Sequence, residues 1–300
     1  MARVLVTGGS GLIGRSLVER LRERGDAVTV LTRGTSGKRN GVQFEHWDPA
    51  HDASPLLTEA YDAIVNLAGE SAVGVRYTDA TKRGIRDSRV KSTEWLVRAQ
   101  ERATHKPSVF VNGSAVGYYG SNQAHTPVDE SGKAGDDFLA EVCVEWEAAA
   151  KPAEALGVRV VLARTGIVLS EQGGALKAMV TPFKFFVGGP IGSGEQGVSW
   201  IHMDDEVAAL LYCIDKPALS GPVNICGPAP VSNAEVSRLI GQILHRPAAL
   251  KAPAFALKAL FGQGAQPLLG GQWALPRALE KAGFEFGFRD IRAALEACIR

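Results

Sequence analysis

Cysteine is scarce in this chain of 300 residues: Cys143, Cys213, Cys226 and Cys298 are far apart in sequence. That spacing excludes a C-x-x-C redox couple, a zinc site built on such pairs and a secreted disulfide framework, and reduced, buried thiols are expected. Long apolar runs are missing too. No uninterrupted stretch reaches the ~18 residues of a spanning helix, and the opening MARVLVTGGSG is broken by glycines too soon for a signal peptide. The expected compartment is the cytoplasm. Nor is one sign of charge in excess, since 33 Lys and Arg against 32 Asp and Glu leave a net charge of +1. This balance gives no whole-molecule field for nucleic acid or an anionic membrane, so neither is expected as a partner, although a local patch is compatible with it. His46, His51, His105, His125, His202 and His245 form no H-x-x-x-H or H-E-x-x-H pair, and no metal is expected.

What the chain does hold is apolar material, with 45% hydrophobic against 22% charged residues, ample for a continuous core. The segments Arg3 to Thr7, Ala27 to Leu31, Ala63 to Leu67, Ser108 to Asn112 and Gly157 to Leu169 read as strands. Helical patterns lie between them: Leu12, Ile13, Leu17, Val18 and Leu21, then the span 79–103, then Phe138 to Ala150. This alternation predicts an α/β fold, a Rossmann-like doubly wound parallel sheet over residues 1–169 with later segments returning to it. Residues 170–300 differ in texture. Glycines crowd 182–199, and Pro247, Pro253, Pro267 and Pro276 separate short apolar stretches, which predicts a small α/β substrate lobe.

The strongest local signal is Thr7-Gly8-Gly9-Ser10-Gly11-Leu12-Ile13-Gly14, at the passage from first strand to first helix. Gly8 permits the tight turn, Gly11 lets backbone amides approach a pyrophosphate, and Gly14 lets the helix pack closely on the sheet. The helix N-terminus adds positive potential. A dinucleotide is expected against Gly8, Gly11, Leu12, Ile13 and Gly14. An NAD-type site places Asp or Glu at the end of the second strand, where this chain reads Thr32-Arg33. A guanidinium there suits a 2′-phosphate, so NADP(H) is the expected cofactor.

With TGGSGLIG, Asn66-Leu67-Ala68-Gly69, Ser114 after VFVNG, and Trp200-Ile201-His202-Met203-Asp204-Asp205, the chain resembles the extended short-chain dehydrogenase/reductase superfamily. The further motifs NLAGE, SRVKST, SAVGYYG, WEAAA, RTGIVL and GGPIGSGEQGVSWIH make it similar to an atypical, nucleotide-sugar-epimerase-like group (YfcH-type). Residues 247–300 are similar to that group's own C-terminal domain. The resemblance implies that Leu67, Ala68 and Gly69 lie against the dinucleotide, that Thr32 and Arg33 meet the adenosine phosphate, and that Arg89 approaches the cofactor. It places Asp48 near the adenine edge and Ser114 as the carbonyl-orienting hydroxyl, and it allows a homodimer through the helix over 79–103.

One departure matters more than the matches. The superfamily carries Tyr-x-x-x-Lys on the helix after the Ser strand, where the Lys and the nicotinamide ribose lower the Tyr pKa for proton transfer. Here that helix reads Phe138-Leu139-Ala140-Glu141-Val142-Cys143. Tyr118 and Tyr119 remain as proton donors with no Lys partner in sight, and Ser114 and Tyr118 stand as the candidate catalytic pair. Epimerases that hold nucleotide-sugars also carry an Arg two residues after the Gln of the glycine-rich hairpin. This chain has Gln196-Gly197-Val198, which points to a smaller or less charged ligand. Lys82, Arg86 and Arg89 share one helical face, either a solvated surface or a collector of anionic groups. His202 is expected to set the following helix, with Asp204 or Asp205 as N-cap. Two functions fit. One is an NADP(H)-dependent oxidoreductase-like or epimerase-like enzyme acting on a small carbonyl, alcohol or sugar-derived substrate. The other is a non-catalytic NADP(H)-dependent binding or redox-sensor protein.

Overall fold

The computed structural model describes residues 1–49 and 60–299, so His51 lies outside the described residues. Nearly continuous Val, Ile and Leu runs can bury both faces only inside a covered parallel sheet. Such runs form the middle of a sheet made of β1 (Arg3–Thr7), β2 (Ala27–Thr32), β3 (Gly37–Arg39), β4 (Val42–His46), β5 (Ala63–Asn66), β6 (Val109–Ala115), β8 (Arg159–Thr165) and β12 (Gly221–Ile225), with the polar β3 and β4 at one edge. They form one eight-stranded sheet in the order β12-β8-β6-β5-β1-β2-β4-β3, parallel except at the β3–β4 edge. The expected Rossmann-like doubly wound sheet is present.

Helices cover both faces. On one, α1 (Leu12–Glu23) and α5 (Met203–Asp215) bury Leu17, Leu21, Val207 and Leu210 against Val4, Val6, Val111 and Val161. On the other, α2 (Asp79–Arg102) packs Trp95 and Leu96 on Leu5, Ile64 and Phe110, and α3 (Phe138–Ala150) lies beside α2. Thr78 caps α2 by accepting from the Thr81 amide, and Asp137 caps α3 by accepting from the Ala140 amide.

The expected single strand over 157–169 is broken at Gly166. A Cβ there would lie 2.2 Å from the Ser199 carbonyl oxygen, so only glycine lets the chain leave β8. It continues as β9 (Ile167–Leu169), which pairs with β11 (Trp200–His202) outside the main sheet. Around β9 and β11 gather α4 (Gly174–Lys184), α6 (Asn233–Leu244) and α10 (Ile291–Cys298), with Trp200, Phe183 and Leu295 at the centre. The remaining short strands are β10 (Gly197–Val198), which pairs with β13 (Val231–Ser232), and β7 (Asn122–Val128), which pairs with β14 (Gly271–Ala274). Between them lie α7 (Ala254–Phe261) and α8 (Gln266–Leu269), and α9 (Arg277–Lys281) follows β14.

The start of α5 departs from expectation. His202 is itself the N-cap, its Nδ1 accepting from the Asp204 amide at 3.1 Å while its ring stacks on Phe288. Asp205 instead turns away to accept from the amides of Gly287 and Phe288 at 2.8 and 2.9 Å, which ties the start of α5 to the C-terminal segment. All four cysteines are buried and free, and among the described residues no helix is long and apolar enough to cross a membrane.

In the first turn of α5, Glu206 is fully buried, with Oε1 accepting from Thr165 at 2.9 Å and Oε2 without a partner. Burial pushes its carboxyl up to about 8. The folded protein therefore holds a proton that the unfolded chain releases near its ordinary value of about 4.3. Stability from this group is present at acid pH and falls by roughly 1.4 kcal/mol per pH unit between about pH 5 and pH 8. Urea midpoints across that window should drop less steeply in Glu206→Gln than in the native chain. Parallel profiles would refute the buried neutral carboxyl.

Candidate functional site

The strand order reverses between β1 and β5, and in open α/β sheets that reversal opens a crevice at the carboxyl ends of the strands. The glycine turn lies there. Gly8 has φ +67°, and a Cβ on it would come within 2.4 Å of the Leu67 carbonyl oxygen, while one on Gly14 would come within 2.2 Å of the Gly8 carbonyl oxygen. Both positions therefore exclude any side chain, and α1 starts directly beneath the turn. Gly11 caps α1 with no side-chain acceptor, and the first turn holds no acid. The leading amides of the helix, from Leu12 through Gly14, have no intrahelical partner and remain available to an anion.

The chain leaving β5 wraps against this turn, with the Leu67 amide donating to the Thr7 carbonyl at 3.2 Å. Gly69 then packs on Arg89, whose guanidinium donates to the carbonyls of Ile85 and Glu70, both at 2.9 Å, and lies over the Trp146 ring. Burial pulls the Arg89 pKa below its ordinary value. The structure thus brings together Gly8, Gly11, Leu12, Ile13, Gly14, Leu67, Ala68, Gly69 and Arg89. Thr32 ends β2, on the far side of β1, and Arg33 directly after it is exposed, with no hydrogen bond or ion pair among the described residues. Asp48 lies two residues past β4, beside that end of β2. Ser114 is near the end of β6, three strand spacings from β2, or about 14 Å. Arg33 and Ser114 therefore bracket the crevice.

Beneath the crevice lies a buried polar chain. Thr7 donates to Asn66 at 2.6 Å, Asn66 Nδ2 donates to Asn112 at 2.7 Å and to Thr93 at 2.8 Å, and the Trp146 indole donates to Thr93 at 3.0 Å. These bonds fix β1, β5 and β6 to both covering helices on that face.

Sequence reasoning did not anticipate the ion pair behind Ser114. Arg164 and Glu147 are 3% and 6% exposed, and the guanidinium meets the carboxylate through two bonds of 2.8 and 2.9 Å. Ser114 donates to the same Glu147 Oε1 at 2.7 Å. Arg164 also donates to the Tyr119 hydroxyl at 3.0 Å and lies 3.5 Å above the centre of the Tyr118 ring. Burial opposes the Arg164 charge, but its bonds to Glu147 outweigh that and hold its pKa above the usual value. Tyr119 donates to Asn224 at 2.7 Å, and burial pushes its hydroxyl up to about 12. The detectable signal was Arg164 in the middle of the apolar run VVLARTGIVL, which must find a partner if the run is a central strand.

The vacated dyad positions are filled by packing. Val142 and Cys143 are buried, and Phe138 lies between the Tyr77 ring and the Lys82 ammonium. The basic face of α2 is not simply solvated. Lys82 donates to Gln263 at 2.6 Å and Arg86 is ion-paired with Glu145. Val198 is buried and paired with Val231, so no cation is offered from that position.

Comparison with known proteins fits this geometry. The model of the NAD dependent epimerase/dehydratase family matches residues 4–226, and a domain of unknown function, DUF1731, matches 252–298. The chain belongs to the NAD dependent epimerase/dehydratase family. It is 44% identical over 98% of its length to an epimerase family protein of Mycobacterium bovis, covering 96% of that protein. It is 40% identical over 99% of its length to the chloroplastic SDR39U1 homolog of Arabidopsis thaliana, covering 86% of it. Among solved structures, human epimerase family protein SDR39U1 with NADPH superimposes with a TM-score of 0.88 at 33% identity, over 99% of this chain and 98% of that one. The epimerase domain together with DUF1731 marks the atypical, SDR39U1-like extended branch of the short-chain dehydrogenases.

Removing one partner of the buried pair leaves an uncompensated charge. Arg164→Met should lower unfolding free energy by about 3–5 kcal/mol, and adding Glu147→Gln should recover much of that loss. Equilibrium denaturation of the two single variants and the double variant measures the coupling, and additive losses would contradict it.

Proposed function

We propose that this member of the epimerase family binds NADP(H) in the crevice and acts as an oxidoreductase-like or epimerase-like enzyme on a small carbonyl, alcohol or sugar-derived substrate. The observation that carries the cofactor reading is the end of β2, where Thr32-Arg33 stands in place of a carboxylate and the Arg33 guanidinium has no hydrogen bond or ion pair among the described residues. The side-chain-free cradle of Gly8 and Gly14 under an uncapped helix fits a dinucleotide pyrophosphate. The NADPH in the human relative supports the phosphorylated form. Bound NADP(H) would supply hydride chemistry, while Leu67, Ala68, Gly69 and Arg89 hold the dinucleotide from the β5 side.

Ser114 is assigned to the substrate oxygen and Tyr118 to proton transfer. A Ser114 hydroxyl that gives its proton to Glu147 presents lone pairs, so in this geometry it receives a hydrogen bond from a substrate alcohol. To polarise a carbonyl it rotates off Glu147. Tyr118 lies flat beneath Arg164, whose fixed charge favours negative charge nearby. With Val198 in place of a cation, the ligand is smaller or less charged than a nucleotide-sugar. The buried free thiols support a reducing compartment such as the cytoplasm.

A second reading, a non-catalytic NADP(H)-dependent binding or redox-sensor protein, is favoured by two observations. Ser114 is held by Glu147, and Tyr119 is raised to about 12, so neither is a ready base.

Calorimetric titration should show NADPH bound about ten- to a hundredfold more tightly than NADH, a preference erased by Arg33→Asp. Equal native affinities would overturn the assignment. Ser114→Ala should leave NADPH affinity nearly unchanged while lowering carbonyl reduction about a hundredfold or more, the usual cost of losing one donor to a developing oxyanion. Undiminished turnover would remove Ser114 from the site, and binding without any native turnover across a carbonyl and alcohol panel would favour the sensor.

A further inference from the structure

Two stretches of the C-terminal half, residues 172–194 and 236–279, contain no Asp or Glu, although the whole chain is balanced to a net charge of +1. These same stretches carry six of the nine large apolar side chains that are exposed among the described residues: Phe185, Phe186, Val187, Leu250, Phe255 and Leu260. They also run side by side. The Leu250 amide donates to the Gly188 carbonyl, the Ala252 amide donates to the Pro190 carbonyl, and the Arg246 guanidinium covers the Phe186 ring at 4.4 Å.

Two features show that this exposure is built in. Phe186 holds φ +62° just past the end of α4, a left-handed position where a bulky side chain is strained and glycine is usual. The helix α7, AFALKALF, buries none of its residues, and Phe255 in its first turn is 76% exposed. A helix this apolar has no reason to form in water without a covering phase. Lys184, Arg246, Lys251 and Lys258 flank the apolar side chains, and none of the four has an ion-pair partner among the described residues.

From this combination we infer that the face carrying Phe185–Val187, Leu250 and α7 docks on the surface of an anionic lipid bilayer. Aromatic and aliphatic tips would enter the headgroup boundary while lysine and arginine stems reach the lipid phosphates, the arrangement of a monotopic contact. A near-neutral whole molecule does not oppose this, because surface charges beyond about 8–10 Å are screened and the local set decides. The Phe185 end of this face stands apart from the glycine turn. Gly174 at the start of α4 lies against Leu12 of the glycine turn, and the eleven residues of α4 carry Phe185 roughly 16 Å away along the axis.

The test sediments the full chain with vesicles of phosphatidylcholine alone and of phosphatidylcholine mixed with phosphatidylglycerol. Binding to the mixed vesicles should be at least about tenfold stronger and should weaken as salt is raised. Phe185→Ser with Phe255→Ser should weaken it roughly tenfold, and Lys184→Glu with Lys251→Glu should abolish the preference for the anionic lipid. Circular dichroism and thermal midpoints of the variants check that each remains folded. The native comparison of the two vesicle types stands independently of any variant. Absent or equal sedimentation would overturn the inference. A concentration-dependent dimer dissolved by Phe185→Ser would assign the face to a second copy of the chain instead.

Discussion

The contact between Arg164 and Glu147 organises the carboxyl edge of the sheet. Two charges with almost no exposure are tolerable only when each satisfies the other, and the two-pronged geometry does so. The cost of burying them is recovered only while β6, α3 and β8 keep their present spacing, so the pair works as a gauge on that spacing. It also fixes the side chains around it. Ser114 points at Glu147, the Tyr118 ring lies under the guanidinium, and Tyr119 is held between Arg164 and Asn224.

This cation differs in kind from the lysine expected beside a catalytic tyrosine. A guanidinium keeps its proton throughout the working pH range, and here Glu147 raises its pKa further. It can therefore stabilise negative charge that develops nearby, but it cannot pass a proton on. Any acid–base step at this edge falls to a hydroxyl or to water. The same field bears unequally on the two tyrosines: Tyr119 is sealed by its hydrogen bonds and by burial, whereas Tyr118 is only partly buried.

The Rossmann half was legible because its determinants are local. The order strand, glycine turn, helix is written within Arg3 to Glu23, and Arg33 follows at a fixed distance in the next strand. Caps were less certain: His202 took the role expected of Asp204 or Asp205 because Asp205 is needed by Gly287 and Phe288, more than eighty residues away. The pair of Arg164 and Glu147 was invisible for a related reason. Its members belong to different elements, and nothing in the period of either segment says that the two faces meet. The break at Gly166 has the same origin, since the close approach of Ser199 is a tertiary fact that a continuous apolar run cannot announce.

The lost dyad and the added C-terminal domain are physically connected. The segment matched as DUF1731 contributes β14, which pairs with β7 and packs Ala274 on Val116, Tyr119 and Cys226. Asn224, which accepts from Tyr119, donates in turn to the Leu275 carbonyl at 2.9 Å, and Glu130 receives the amides of both Asn224 and Ala278. The wall behind the two tyrosines is thus built from the C-terminal domain as much as from the Rossmann sheet. Restoring Tyr and Lys to α3 at Phe138 and Val142, or at Leu139 and Cys143, would not recreate the ordinary site. Val142 and Cys143 are packed, and the cation that donates to the Tyr119 hydroxyl, Arg164, comes from β8. The side chains at this edge are arranged around Arg164, and the C-terminal domain supplies much of the packing that holds that arrangement in place.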